Sequence, residues 1–221
     1  MGIDLTDKIV VARYGGNFRG YKVKFAEAHG AAGVIMFNDP GRLDRPAYPE
    51  GPWMSPTTIQ RGSVLTLDWT GDPLTPFEPA LPLDHPDTPE RLDPDTVGLH
   101  TIPVLPLGYG PAGEILERMT GPEAPEDWQG PLPITYRVTG GPELRVRVRV
   151  DQPKALTRAV NVVGTVRGTE FPDEWIILGA HYDPWGFGAI DPNGGTAMLL
   201  TMAESLAELA SDGCAPRRSI M

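Results

Sequence analysis

His181, Asp183 and Asp191 are the residues of this chain whose types and spacing best suit joint chemistry. One imidazole and two carboxylates in so short a stretch make a donor set for a divalent metal of the zinc type. A carboxylate can also bridge two metals about 3.5–4 Å apart. Asp183, two residues from His181, suits orienting the ring better than direct ligation, whereas Asp191 returns as a carboxylate ligand. The same groups can instead form a satisfied polar cluster at a sheet edge, and spacing alone leaves both readings open. His29, His85 and His100 have no carboxylate pattern beside them and read as structural or surface residues.

The flanking pattern says how such a site would be positioned. Residues 175–179 form a short apolar run ending in small residues, which predicts a buried strand delivering His181 and Asp183 to the carboxyl edge of a sheet. Asp191 opens the turn Asp191-Pro192-Asn193-Gly194-Gly195. Met198, Leu199, Met202, Leu206 and Leu209 then predict an amphipathic helix over 196–209.

Upstream, residues 8–13 read as a strand, 18–29 as a helix stopped by Gly30, and 33–37 as a second buried strand. That opening is a strand-helix-strand unit, right-handed by rule. From 42 to about 100 the chain turns to Pro, Gly, Asp and Thr, predicting long loop with minor strands such as 64–67. Extended structure resumes at 102–107, and a helix over 110–119 has proline in its first turn. Residues 144–150 alternate leucine or valine with arginine, the pattern of a half-exposed edge strand. A proline-containing hinge near 153–156 divides residues 1–155 from 156–221, where strands at 159–166 and 175–179 flank a turn at 167–174.

Of the 221 residues 40% are hydrophobic, ample for a core, and the formal charge is −10. That acidity argues against nucleic acid, since no basic face is available for a phosphate backbone. Cys214 is the lone cysteine, so neither an internal disulfide nor a cysteine-built metal site is available. No apolar run approaches membrane-spanning length. A strand pattern at residues 9–12 and another begun at 217–221 lead us to expect a segment of something longer.

The stretch 176–192, around His181 and Asp191, resembles the first metal motif of the glutamate carboxypeptidase and transferrin receptor family of two-zinc peptidases. Residues 8–15, Phe18-Arg19-Gly20, Gln60-Arg61-Gly62, 71–76 and Ile102-Pro103-Val104 resemble that family's protease-associated domain in the same order. The resemblance implies a mixed α/β fold: a protease-associated domain with a β-sandwich-like core and flanking helices, then the first strands and helix of a zinc-peptidase domain. It implies His181 as a ligand of one zinc, Asp191 bridging two, and Asp183 supporting His181. Arg19 matches the arginine that reaches the substrate's carboxylate, a task suited to a guanidinium fork. Ser63 stands where glutamate-selective members carry asparagine, and Thr75 and Glu78 fall where some members hold a structural calcium, Glu78 departing from the usual residue.

The function so implied is a zinc-dependent exopeptidase acting on peptides. The family's general-base glutamate and its remaining ligands have no counterpart in these residues, so the chain alone is expected to be inactive. The alternative is a non-catalytic, receptor-like interaction module of the same family, against which the retained His181 and Asp191 speak. Family habit places the protein outside the cytoplasm. Apolar surface left uncovered would favour self-association or a homodimer.

Overall fold

The computed structural model describes residues 2–40, 50–51 and 54–221. It divides into two compact units, Met1–Lys154 and Ala155–Met221. The class is mixed α/β, as the sequence led us to expect. Among the described residues no helix is long and apolar enough to cross a membrane.

The first unit opens with β1 (Ile9–Arg13), α1 (Arg19–Ala28) and β2 (Gly33–Phe37). Gly30, at φ +80°, ends the helix because only glycine takes that conformation without steric cost. A two-residue hairpin, β3 (Gly71–Asp72) and β4 (Thr75–Pro76), interrupts the long loop. β5 (Val104–Leu107) and α2 (Tyr109–Glu117) follow. The main sheet runs β1-β2-β5, with β2 parallel to both neighbours. Where a sandwich-like core was expected, one parallel sheet lies between helices.

β2 explains that layering. All five of its residues are buried, and a strand apolar on both faces needs cover on both. Side chains alternate along a strand. Val34 and Met36 therefore pack with Val23 and Ala26 of α1, while Phe37 packs with Ala112 and Leu116 of α2 and with Tyr136. Beyond β2, Asp39 accepts from the Tyr136 hydroxyl at 2.8 Å and pairs with Arg13 at 3.1 Å. Burial and the Asp39 carboxylate together raise the Tyr136 phenol well above its ordinary range.

A second tie joins α1 to the approach to β5. The Thr101 amide and hydroxyl donate to Glu27 Oε1 at 2.8 and 2.6 Å, and His100 Nδ1 lies 2.9 Å from Glu27 Oε2. Partial burial pushes the Glu27 carboxyl upward, but the Thr101 and His100 hydrogen bonds outweigh it and leave it below its ordinary range.

Some expected strands are absent among the described residues. Residues 64–67 form no ladder, and 41–49 and 52–53 of the same long loop lie outside the described residues. Residues 144–150 keep their alternation, with Leu144, Val146 and Val148 half-buried and the arginines exposed, yet no strand pairs with them. Alternation shows that a segment suits a pleat; a ladder also needs a partner.

In the second unit β6 (Phe171–Ile176) takes in much of the expected turn and pairs in parallel with β7 (Arg218–Ile220). Residues 159–166 contribute only an isolated bridge, Val166 to Ile220. α3 (Asn193–Ser211) carries the predicted apolar spacing, but none of its residues is buried.

Two outcomes follow for the first unit. Phe37→Ala should cost about 3–5 kcal/mol of stability in urea unfolding followed by circular dichroism, whereas Leu83→Ala, at a side chain 62% exposed, should stay within about 0.5 kcal/mol. Glu27, held below its ordinary range when folded, contributes fully above that range and loses its contribution as pH falls through the lowered value. The urea midpoint should therefore drop between about pH 6 and about pH 3, and drop less in Glu27→Gln.

Candidate functional site

The second unit builds a small polar cluster at the end of its sheet. Pairing continues past β6, with Leu178 N donating to Met221 O at 2.8 Å and Met221 N to Ile176 O at 3.0 Å. Thr196, in the first turn of α3, donates through its hydroxyl to the His181 carbonyl at 2.8 Å. Between them the glycine-rich turn folds back on itself: Asn193 N bonds Gly188 O, and Gly194 N bonds Ile190 O. Gly188, at φ +67°, supplies the bend.

These constraints bring His181, Asp183 and Asp191 together. His181 Nδ1 lies 3.0 Å from Asp183 Oδ1, and Nε2 lies 3.0 Å from Asp191 Oδ1. All three side chains are exposed. The hydrogen bond to Asp183, with Asp191 behind it, raises His181 above its ordinary range, and the same bond lowers Asp183. With a carboxylate on each nitrogen, the imidazolium is the form that satisfies both.

The pair fits part of a zinc site. Two donors on one tetrahedral zinc stand roughly 3.3 Å apart, close to the 3.0 Å between Nε2 and Asp191 Oδ1. Asp183 sits on the opposite ring nitrogen, Nδ1, from Asp191. Among the described residues no group of three or more histidines, cysteines and carboxylates is arranged to hold a metal ion.

The first unit gathers a different set. Arg19 opens α1, its guanidinium 5.2 Å from the Phe18 ring centroid. Its Nε is shielded from solvent and has no hydrogen-bond partner among the described residues. The guanidinium lies directly against Gly62: a methyl group at that position would come within 2.2–2.6 Å of it. Gly20 permits a similar approach, since a methyl there would meet the Val64 carbonyl at 2.5 Å. Nearby, the Tyr14 hydroxyl donates to Gln60 O at 2.8 Å. Two glycines and a tyrosine thus seat the 60–66 loop on the start of α1, with a cationic fork between.

Residues 2–67 match the sequence profile of the PA domain, and residues 161–221 match that of peptidase family M28. By these matches the chain is similar to the glutamate carboxypeptidase and transferrin receptor-like proteins. It is 38% identical to a glutamate carboxypeptidase 2 homolog of Caenorhabditis elegans, with all of the chain and 30% of that relative aligned. It is also 38% identical to aminopeptidase NAALADL1 of Mus musculus, over all of the chain and 31% of the relative. With transferrin receptor protein 2 of Mus musculus the identity is 32%, over all of the chain and 26% of the relative. The chain therefore spans less than a third of the length of these relatives.

The other family positions are occupied more modestly. Ser63 Oγ accepts from Leu65 N at 3.1 Å, closing a local turn in the loop that carries Gly62. Thr75 is buried, and its hydroxyl points at the Glu78 carbonyl, 3.4 Å away. Sequence reading did not single out Gly62, Glu27 or His100. Only Gly62 had a signal, as part of the Gln60-Arg61-Gly62 motif.

Gly62→Ala tests the arginine's seat. The added methyl meets the flexible end of a side chain, so stability should change by less than about 0.5 kcal/mol. The Arg19 Nε–H signal in a nitrogen-edited NMR spectrum should nevertheless shift, and an unmoved signal would contradict the packing.

Proposed function

We propose that this chain contributes the protease-associated domain and the first metal-binding segment of a zinc-dependent exopeptidase of the glutamate carboxypeptidase type. The observation that carries the proposal is the Asp183–His181–Asp191 array, in which one ring nitrogen is oriented by a carboxylate while the other faces a second carboxylate at 3.0 Å. In this reading His181 Nε2 and Asp191 would hold zinc, Asp191 as the shared carboxylate ligand. Asp183 accepts the Nδ1 proton and so keeps Nε2 available. Zinc, when bound, supplies a Lewis acid and an activated water at neutral pH. Arg19 receives and orients the free carboxylate of a peptide substrate through paired charge-assisted hydrogen bonds. Its unpartnered, shielded Nε supports that role.

Ser63 lies beside this subsite, and its hydroxyl is already engaged in a local turn. A strong acidic side-chain preference at that position is therefore not part of the proposal. Calcium at Thr75 and Glu78 remains a secondary element of the reading, with Thr75 already turned toward the Glu78 carbonyl. An extracytoplasmic location and self-association belong to the same proposal. Self-association is supported by the exposure of Phe187, Ile190, Met198 and Leu200. Retention of His181 and Asp191 supports the enzyme over a non-catalytic receptor-like module.

The 221 residues by themselves supply two metal ligands and no general base, so they should be catalytically silent. Zinc measured by atomic absorption after gel filtration should be bound below one ion per chain, and should fall further in His181→Ala and Asp191→Ala. Equal zinc in all three proteins would sink the ligand assignment. Chelator-sensitive hydrolysis of dipeptides by the chain would sink the prediction of silence.

A further inference from the structure

The loop that seats Arg19 is held from its far side by the His100–Glu27 pair. His100 Nδ1 faces Glu27 Oε2 at 2.9 Å, while Nε2 faces the Val64 carbonyl at 3.1 Å and the Thr66 hydroxyl at 3.4 Å. The His100 side chain is only 9% exposed. Both ring nitrogens thus face acceptors, and only the imidazolium donates from both. Beyond the packing of Gly20 and Arg19 on this loop, the exposed Lys24–Asp68 pair at 3.8 Å also joins the loop region to α1, of a kind that contributes little.

Val64 joins the two halves of the arrangement. Its carbonyl accepts from His100 on one side and rests against Gly20 on the other. Gly62, two residues earlier in the same loop, backs the Arg19 guanidinium. Withdrawing the His100 donor releases the Val64 carbonyl and, with it, the surface against which Arg19 lies.

We propose that His100 and Glu27 are positioning residues for Arg19: their ion pair pins residues 64–66 to α1 and so fixes Gly62 behind the guanidinium. The functional part of this statement rests on Arg19 as the carboxylate-binding group. Among the described residues the groups facing the imidazole are the Glu27 carboxylate on α1 and the Val64 carbonyl and Thr66 hydroxyl of the loop. Removing the imidazole therefore takes away the donor to the Val64 carbonyl. Glu27→Gln has a different consequence, because a glutamine amide can donate to Nδ1 of the neutral ring while Nε2–H still reaches Val64.

The test uses the whole chain, its Arg19 Nε–H and Gly62 amide NMR signals, and an N-acetylated dipeptide with a free carboxylate, compared with its amide. His100→Ala should move both signals, leave the Val34 and Phe37 amides in place, and weaken carboxylate binding about tenfold, as Arg19→Ala should. In Glu27→Gln, where a glutamine amide can still donate to Nδ1, both signals should move less than in His100→Ala. Signals unmoved by His100→Ala overturn the positioning role. Should that variant fail to fold, His100→Leu replaces it, and signals unmoved there overturn the role instead. Unchanged discrimination between carboxylate and amide in Arg19→Ala overturns the substrate reading, and the signal shifts then decide positioning separately.

Discussion

The need to cover β2 on both faces organises the first unit. Five consecutive buried residues, Gly33–Phe37, cannot be satisfied by a sheet open to water on one side. α1 closes the face of Val34 and Met36, and α2 with Tyr136 closes that of Phe37. β1 and β5 take up the backbone hydrogen bonds on either edge. Once α1 is pressed onto this sheet, its first residue, Arg19, and its last turn, with Glu27, are fixed in space. The 60–66 loop then has a definite surface to lie on.

Glycine and hydrogen bonding decide how closely that loop approaches. Gly20 and Gly62 remove the two methyl groups that would otherwise hold helix and loop apart, and His100 draws the Val64 carbonyl from the other side. The second unit works differently. α3 has no buried residue, and the His181 cluster is held by the Thr196 hydroxyl and by turns within residues 188–194. Its polar geometry is local, so it forms without a surrounding apolar shell.

That difference explains what could be read from the residues. His181, Asp183 and Asp191 are close in sequence, and their meeting needs only a turn whose glycines and prolines announce it. The parallel strand-helix-strand opening was equally legible, because a wholly apolar five-residue strand and a helix stopped by glycine are local signals. His100 and Glu27 lie 73 residues apart, and neither residue's neighbours point to the other. His100 consequently read as an isolated histidine. The 144–150 segment was misread for the same reason in reverse: its alternation is real, and its lack of a ladder depends on partners elsewhere.

The sequence by itself determined the mixed α/β class, the buried middle strand, the family resemblance, and which side chains could serve as ligands or as a carboxylate fork. These follow from periodicity, composition and short motifs, all set by neighbours along the chain. Tertiary structure alone decided which apparent strands find partners, that Arg19 is backed by Gly62, and that His100 meets Glu27 and Val64. Those outcomes depend on the packing of α1 against β2, which brings together groups whose separation along the chain carries no signal of their contact.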